Sequence, residues 1–141
     1  MDVPVNYLAV LLAGVASMAV GFAWYHPMFF GKAWMKEMGY TEKSLKAEQN
    51  KMGALYGLSL LGALIMAYVL SHVMVFSMNY FHYAPVSTGL SSAFWMWLGF
   101  VAPVQMTDVI FGRKNWKLYK LNTGYQLTSL LVMGWVLGSM M

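Results

Sequence analysis

The chain has 141 residues, enough for one domain. Hydrophobic residues make up 60% of it and charged residues 10%, which excludes a water-soluble domain of this size, because too few polar groups exist to cover its surface. The net charge is +4, but the basic residues lie just outside apolar stretches, a placement suited to anionic lipid headgroups and not to nucleic acid.

Cysteine is absent, so disulfides, thiolate metal sites and a cysteine nucleophile are excluded. Four apolar stretches are long enough to cross a bilayer, which takes about 20 residues each. They run from about Val3 to Tyr25, Met52 to Met78, Thr88 to Phe111 and Leu121 to Met141. The first is not expected to be a secretory signal: Asp2 replaces the usual basic start, and no small-residue cleavage site closes the stretch.

The charges then give an orientation. Lys32, Lys36, Lys43, Lys46 and Lys51 lie between spans one and two, and Arg113, Lys114, Lys117 and Lys120 between spans three and four. The Tyr80–Ser87 turn and both ends carry no Lys or Arg. By the positive-inside rule both basic loops are cytoplasmic. The expectation is a single all-α membrane domain over 1–141, with four transmembrane helices, N-out/C-out, and a cytoplasmic connector at about 26–51. In that connector Met28, Phe29, Phe30, Trp34, Met35 and Met38 read as a short amphipathic segment in the headgroup layer. Thr41 then caps a polar helix expected through Glu42, Lys46 and Asn50. The connector is either a solvated link or a docking surface.

The two halves resemble each other where they leave the membrane. Phe30-Gly31-Lys32-Ala33-Trp34-Met35-Lys36 parallels Phe111-Gly112-Arg113-Lys114-Asn115-Trp116-Lys117, and Tyr56-Gly57-Leu58-Ser59 parallels Tyr125-Gln126-Leu127-Thr128. A tandem duplication of a two-helix hairpin, related by an axis along the membrane normal, is one reading. Independent aromatic-Gly-basic patterns at an interface are the other.

Helices in lipid associate through close backbone approach and polar contacts. Ala9, Ala13, Ser17 and Gly21 form one i+4 row in span one; Ser59, Ala63, Ala67 and Ser71 form another in span two. Gly53/Gly57 and Gly134/Gly138 add two GxxxG pairs. Such rows suit either a tight internal bundle or a seam toward a second subunit.

An ionisable group inside a span is a functional candidate by default. Asp108 is the only acidic side chain inside a span, with Gln105 one turn earlier. Asn122 and Gln126 lie one turn apart in span four, with Ser129 continuing their face. Tyr25 and His26 leave span one at a similar depth, and Tyr56 enters span two there. Pro103 frees the Gly99 carbonyl and is positioned to bend span three around this layer. The layer reads either as a cytoplasm-facing pocket with Asp108 as a cation or proton site, or as interhelical hydrogen bonding with Asp108 paired to Arg113, Lys114 or Lys120.

His72, Met74, Met78 and His82 offer imidazole and thioether near the external surface, a donor set that suits Cu(I). His72 and Met74 do not share a helical face, however, and no metal or cofactor is expected. Nor is catalysis: no HExxH, phosphate-binding glycine loop or dinucleotide fingerprint is present, and no Ser or Thr is placed beside His26 and Asp108.

Trp24-Tyr25-His26-Pro27, followed by Phe30-Gly31-Lys32-Ala33-Trp34-Met35-Lys36 and Gly39, resembles the first signature of the family called domain of unknown function 1761. Phe111-Gly112-Arg113, Trp116-Lys117-Leu118-Tyr119 and Asn122-Thr123-Gly124-Tyr125-Gln126-Leu127 resemble its second. The resemblance covers nearly the whole chain. It implies a small multi-pass protein of the bacterial inner (cytoplasmic) membrane and carries no activity with it. The excess of small-residue rows, the minimal extramembrane mass and the lack of a reactive constellation make the expected role non-catalytic, as a homo-oligomer or an accessory subunit contacting the bilayer, itself or another membrane protein. The alternative is a small-solute or proton-linked transporter using the layer around Asp108.

Overall fold

A computed structural model describes residues 3–112 and 115–141. All its regular structure is helical. The expectations that involve Asp2, Arg113 and Lys114 lie outside the described residues.

Helix α1 runs Tyr7–Trp24, and its start is set by Asn6, whose side-chain oxygen accepts the Ala9 amide at 3.1 Å. That cap places the first helical residue at Tyr7, four positions after the Val3 expected from apolarity alone. Helix α2, Gly31–Met38, ends on Gly39 in the left-handed region (φ 76°), where the Gly39 and Tyr40 amides close onto the Lys36 and Met35 carbonyls. Helix α3 spans Glu42–Ala47 and opens on a reciprocal Thr41–Ser44 capping box. It stops short of the Asn50 expected from sequence. The Glu48 amide bonds the Leu45 carbonyl at 3.1 Å, a tight turn that hands Asn50 to α4, Gln49–Phe81.

Helix α4 has 33 residues, so it is roughly 50 Å long at 1.5 Å per residue and exceeds a bilayer's hydrocarbon core. After a turn at His82 (φ 57°), α5 (Pro85–Met96) leads through a π-helical turn, Trp97–Val101, into α6, Ala102–Ile110. Pro103 has no N–H for the Gly99 carbonyl; just before it the Ala102 amide reaches back five residues to Trp97 O. Helix α7, Trp116–Ser139, starts at Asn115, whose side chain accepts the Leu118 amide at 2.8 Å.

Among the described residues three helical runs are long and apolar enough to cross a membrane: Tyr7–Trp24, Gln49–Phe81 and Pro85–Ile110. That points to a membrane protein. The fourth expected span lies in α7, which has 24 residues but is diluted by Asn122, Thr123, Gln126, Thr128 and Ser129. Its polarity is tolerated because α7 packs along both α1 and α5, and its Ser and Thr hydroxyls are satisfied internally. Thr123 and Thr128 donate to the Tyr119 and Gly124 carbonyls, and Ser17 and Ser129 hydrogen-bond across the α1–α7 seam.

The seams draw on alanine while many large apolar side chains stay outside, although Leu70, Met74, Met133 and Leu137 are also buried. Ala9, Ala13, Ala63, Ala67 and Ala93 are buried together, while Leu8, Leu11, Leu12, Leu58 and Ile65 face outward. Of the expected seam residues, Ser17, Ser71, Gly134 and Gly138 are buried as well, and Gly21 is half-buried against Tyr125. Ser59 is exposed, as is the preceding stretch of α4 from Gly53 to Leu58.

Asn6 donates to the Met140 carbonyl at 3.2 Å, and Gly138 lies against Pro85 at the same end of the bundle. Trp24 reaches Leu121 at the other end, so α1 and α7 are antiparallel. The paralleled glycines Gly31 and Gly112 play different local roles: Gly31 opens a helix, whereas Gly112 packs on the Asp108 carbonyl just beyond α6.

Candidate functional site

The candidate site lies where α1 ends against the first half of α7. The Trp24 indole N–H donates to the Leu121 carbonyl at 3.1 Å, and its ring packs on Phe30, with centroids 4.6 Å apart. Gly124 leaves room for that indole: a Cβ there would lie 3.2 Å from it. The next residue, Tyr25, donates its hydroxyl to Asn122 Oδ1 at 2.8 Å and meets Tyr125 and Trp34 edge-on, at 5.3 and 5.7 Å.

His26 is exposed, and its Nδ1 accepts the Met28 amide at 3.2 Å. Its carbonyl accepts the Phe29 and Gly31 amides. A Cβ at Gly31 would collide with the Tyr25 and His26 carbonyls, so this tight turn requires glycine. The imidazole therefore closes a turn beside the site.

A cavity of about 300 Å³ separates α1, α4 and α7, with Tyr25, Tyr56 and Tyr125 on its wall and Gly21 and Ser59 between them. Tyr56 is exposed and stands edge-on to Phe22 at 5.2 Å. Gln126 is half-buried on α7.

Gln105 and Asp108 do not line this cavity. They lie on α6, Gln105 half-buried and Asp108 exposed. That run of helix is fixed to α7 through aromatic donors: Trp97 Nε1 to the Thr123 carbonyl at 2.8 Å, and the Tyr119 hydroxyl to the Ala102 carbonyl at 3.0 Å. The layer expected as one pocket is thus divided into a tyrosine-lined cavity and a separate α6 face. Among the described residues no group of three His, Asp or Glu is placed to hold a metal ion. His72, part of the donor set considered for copper, has Nδ1 within 2.9 Å of the Tyr68 carbonyl oxygen.

The residues that meet here are those of the two signature stretches. The chain matches the family described as "Protein of unknown function (DUF1761)" over residues 8–138. It belongs to that family. No curated protein and no solved structure matches it.

In this DUF1761 chain the two signatures are the halves of one contact. Trp24 and Tyr25 come from the first; Leu121, Asn122, Gly124 and Tyr125 come from or adjoin the second. Glu37 on α2 extends the contact, accepting from Asn115 Nδ2 and pairing with Lys117 at 3.6 Å. Sequence reasoning missed Glu37, Trp97 and Tyr119. For Trp97 and Tyr119 the signal was residue type alone: a Trp N–H or Tyr O–H buried in a bundle usually finds a partner, and here each finds a carbonyl on a neighbouring helix.

Proposed function

We propose that this DUF1761 protein is a non-catalytic, four-span protein of the bacterial inner membrane, N-out/C-out, that works as an oligomer. The observation that carries the reading is the use made of the polar layer. Tyr25 and Asn122 of that layer join α1 to α7, and Trp24 to Leu121, Trp97 to Thr123 and Tyr119 to Ala102 join helices beside it. Polar side chains in lipid serve this way when their task is to hold a bundle together. The orientation is supported by the ends of the bundle. The connector and the start of α7 carry Lys32, Lys36, Lys43, Lys46, Lys51, Lys117 and Lys120, and the opposite end carries no Lys or Arg among the described residues. Helix α7 is the fourth span, its polarity turned toward α1 and α5.

The oligomer is placed on the cytoplasmic half of α4, where Gly53 and Gly57 have no atom within 4 Å of a would-be Cβ. Gly62 and Gly99 are open as well, whereas Gly89 and Gly134 are closed against each other. Glycine inside a helix costs about 1 kcal/mol relative to alanine, a cost that a close interhelical contact offsets.

The test is native mass measurement of the protein extracted in mild detergent, with Gly53→Leu/Gly57→Leu as the variant. A stable homo-oligomer that the variant reduces to monomers supports the reading. A stoichiometric different membrane protein would replace the homo-oligomer with the accessory-subunit role. A lone monomer whose reconstituted liposomes carry a proton or solute flux, lost in Asp108→Asn, would overturn it in favour of a transporter.

A further inference from the structure

The connector folds into a cleft that the polar layer does not use. Helices α2 and α3 are held at an angle by the Gly39 left-handed cap and the Thr41–Ser44 box, and between them lies an open cleft of about 620 Å³. Lys32 and Lys36, one turn apart on α2, and Lys46 on α3 form its basic wall. Its floor is apolar: Pro27, Met35, Leu45 and the ring of Tyr40. Glu42 is the acidic residue on the rim, leaving three positive charges against one negative. Glu37, the other acidic residue of α2, is taken up by Asn115 and Lys117 and does not neutralise the cleft.

We infer that this cleft binds the headgroup of an anionic glycerophospholipid. Three lysines facing one space supply the complement of a phosphodiester and its net negative charge. The apolar floor is what separates a lipid from free phosphate, because inorganic phosphate has no surface to place on Met35 and Leu45, whereas a glycerol backbone and its first acyl carbons do. The position agrees. Pro27 lies three residues beyond the end of α1, and the adjoining Met28 and Phe29 are 83% and 68% exposed, apolar side chains available to enter the acyl boundary beside the cleft. The inference rests on the membrane placement proposed above and is independent of the oligomer.

The test uses the full chain in nanodiscs of equal phosphatidylglycerol and phosphatidylcholine, released and weighed by native mass spectrometry. Wild type is expected to retain phosphatidylglycerol in preference to phosphatidylcholine. Lys32→Gln/Lys36→Gln/Lys46→Gln should lower that retention on the order of tenfold. Lys43→Gln/Lys51→Gln/Lys120→Gln removes the same charge outside the cleft and should leave retention near wild type. Met35→Ser/Leu45→Ser, which keeps every lysine, should also lose lipid. Equal losses in the two lysine triples would reduce the effect to diffuse surface attraction and overturn the site. Retention unaffected by the serine pair, together with displacement of the lipid by inorganic phosphate, would make it a phosphate site and overturn the lipid assignment. The same spectra report oligomer mass, so a failed oligomer and a failed lipid site are read separately.

Discussion

The Tyr25 hydroxyl donates to Asn122 Oδ1 at 2.8 Å, joining residues 97 positions apart in the chain. The bond ties the end of α1 to the polar half of α7, and with the Trp24–Leu121 bond one residue away it forms a two-point lock. Locks of this kind are modest in energy, because the unfolded chain in lipid also finds partners.

Tyr25→Phe is therefore expected to lower stability by about 1 kcal/mol, with the fold retained. Asn122→Leu should cost a similar amount, and the double variant less than the sum. A double-mutant cycle in detergent, read by unfolding in SDS, measures the coupling. A coupling of zero would mean that the two groups do not meet in the membrane.

How much of this was legible beforehand differs by element. Apolar length located three membrane-long helices, because it is a local property and needs no partner. The layer around Asp108 was harder. Gln105 and Asp108 do share a face within α6, but the π turn at Trp97–Val101 precedes them. An extra residue in a helix rotates everything after it by about 100°, so the periodicity of α5 does not report where α6 points. Asn122 posed the opposite difficulty. A polar residue in a span reads equally as a pocket wall or as half of a hydrogen bond, and only the position of Tyr25 decides between them. Glu37 was invisible for the same reason: Asn115 and Lys117, its partners, lie on the far side of two membrane-long runs, Gln49–Phe81 and Pro85–Ile110.

Gly89 and Gly134 make the closest helix contact, each backbone filling the space in which the other's Cβ would sit. Because the obstacle is backbone on both sides, no rotamer change relieves it. Gly89→Ala or Gly134→Ala should force α5 and α7 apart and cost about 3 kcal/mol. Resistance to SDS unfolding is the measurement. A change under about 0.5 kcal/mol would show that the seam is looser than described.

Gly53 and Gly62 carry the opposite sign within the monomer, since a Cβ at either meets nothing within 4 Å. Gly62→Ala should raise stability by about 0.5–1 kcal/mol through helix propensity alone. Gly53→Ala should give the same gain to the monomer while weakening the proposed oligomer. Unfolding and native mass measured on both variants separate the two effects. Identical behaviour of the two would remove Gly53 from any interface.

The absence of cysteine makes the chain suitable for single-cysteine accessibility mapping. Lys43, Tyr83 and Met141 are all exposed, and they lie on the connector, the turn before α5 and the end of α7. With intact spheroplasts and a membrane-impermeant maleimide, Tyr83→Cys and Met141→Cys should label at once, and Lys43→Cys only after permeabilisation. The Met141 site decides the least apolar helix. If α7 crosses the membrane beside α1, its end shares a side with Tyr83, as the packing of Gly138 against Pro85 requires. Labelling of Met141→Cys together with Lys43→Cys would mean that α7 does not cross, and the polar residues of its first half would then face water instead of Tyr25.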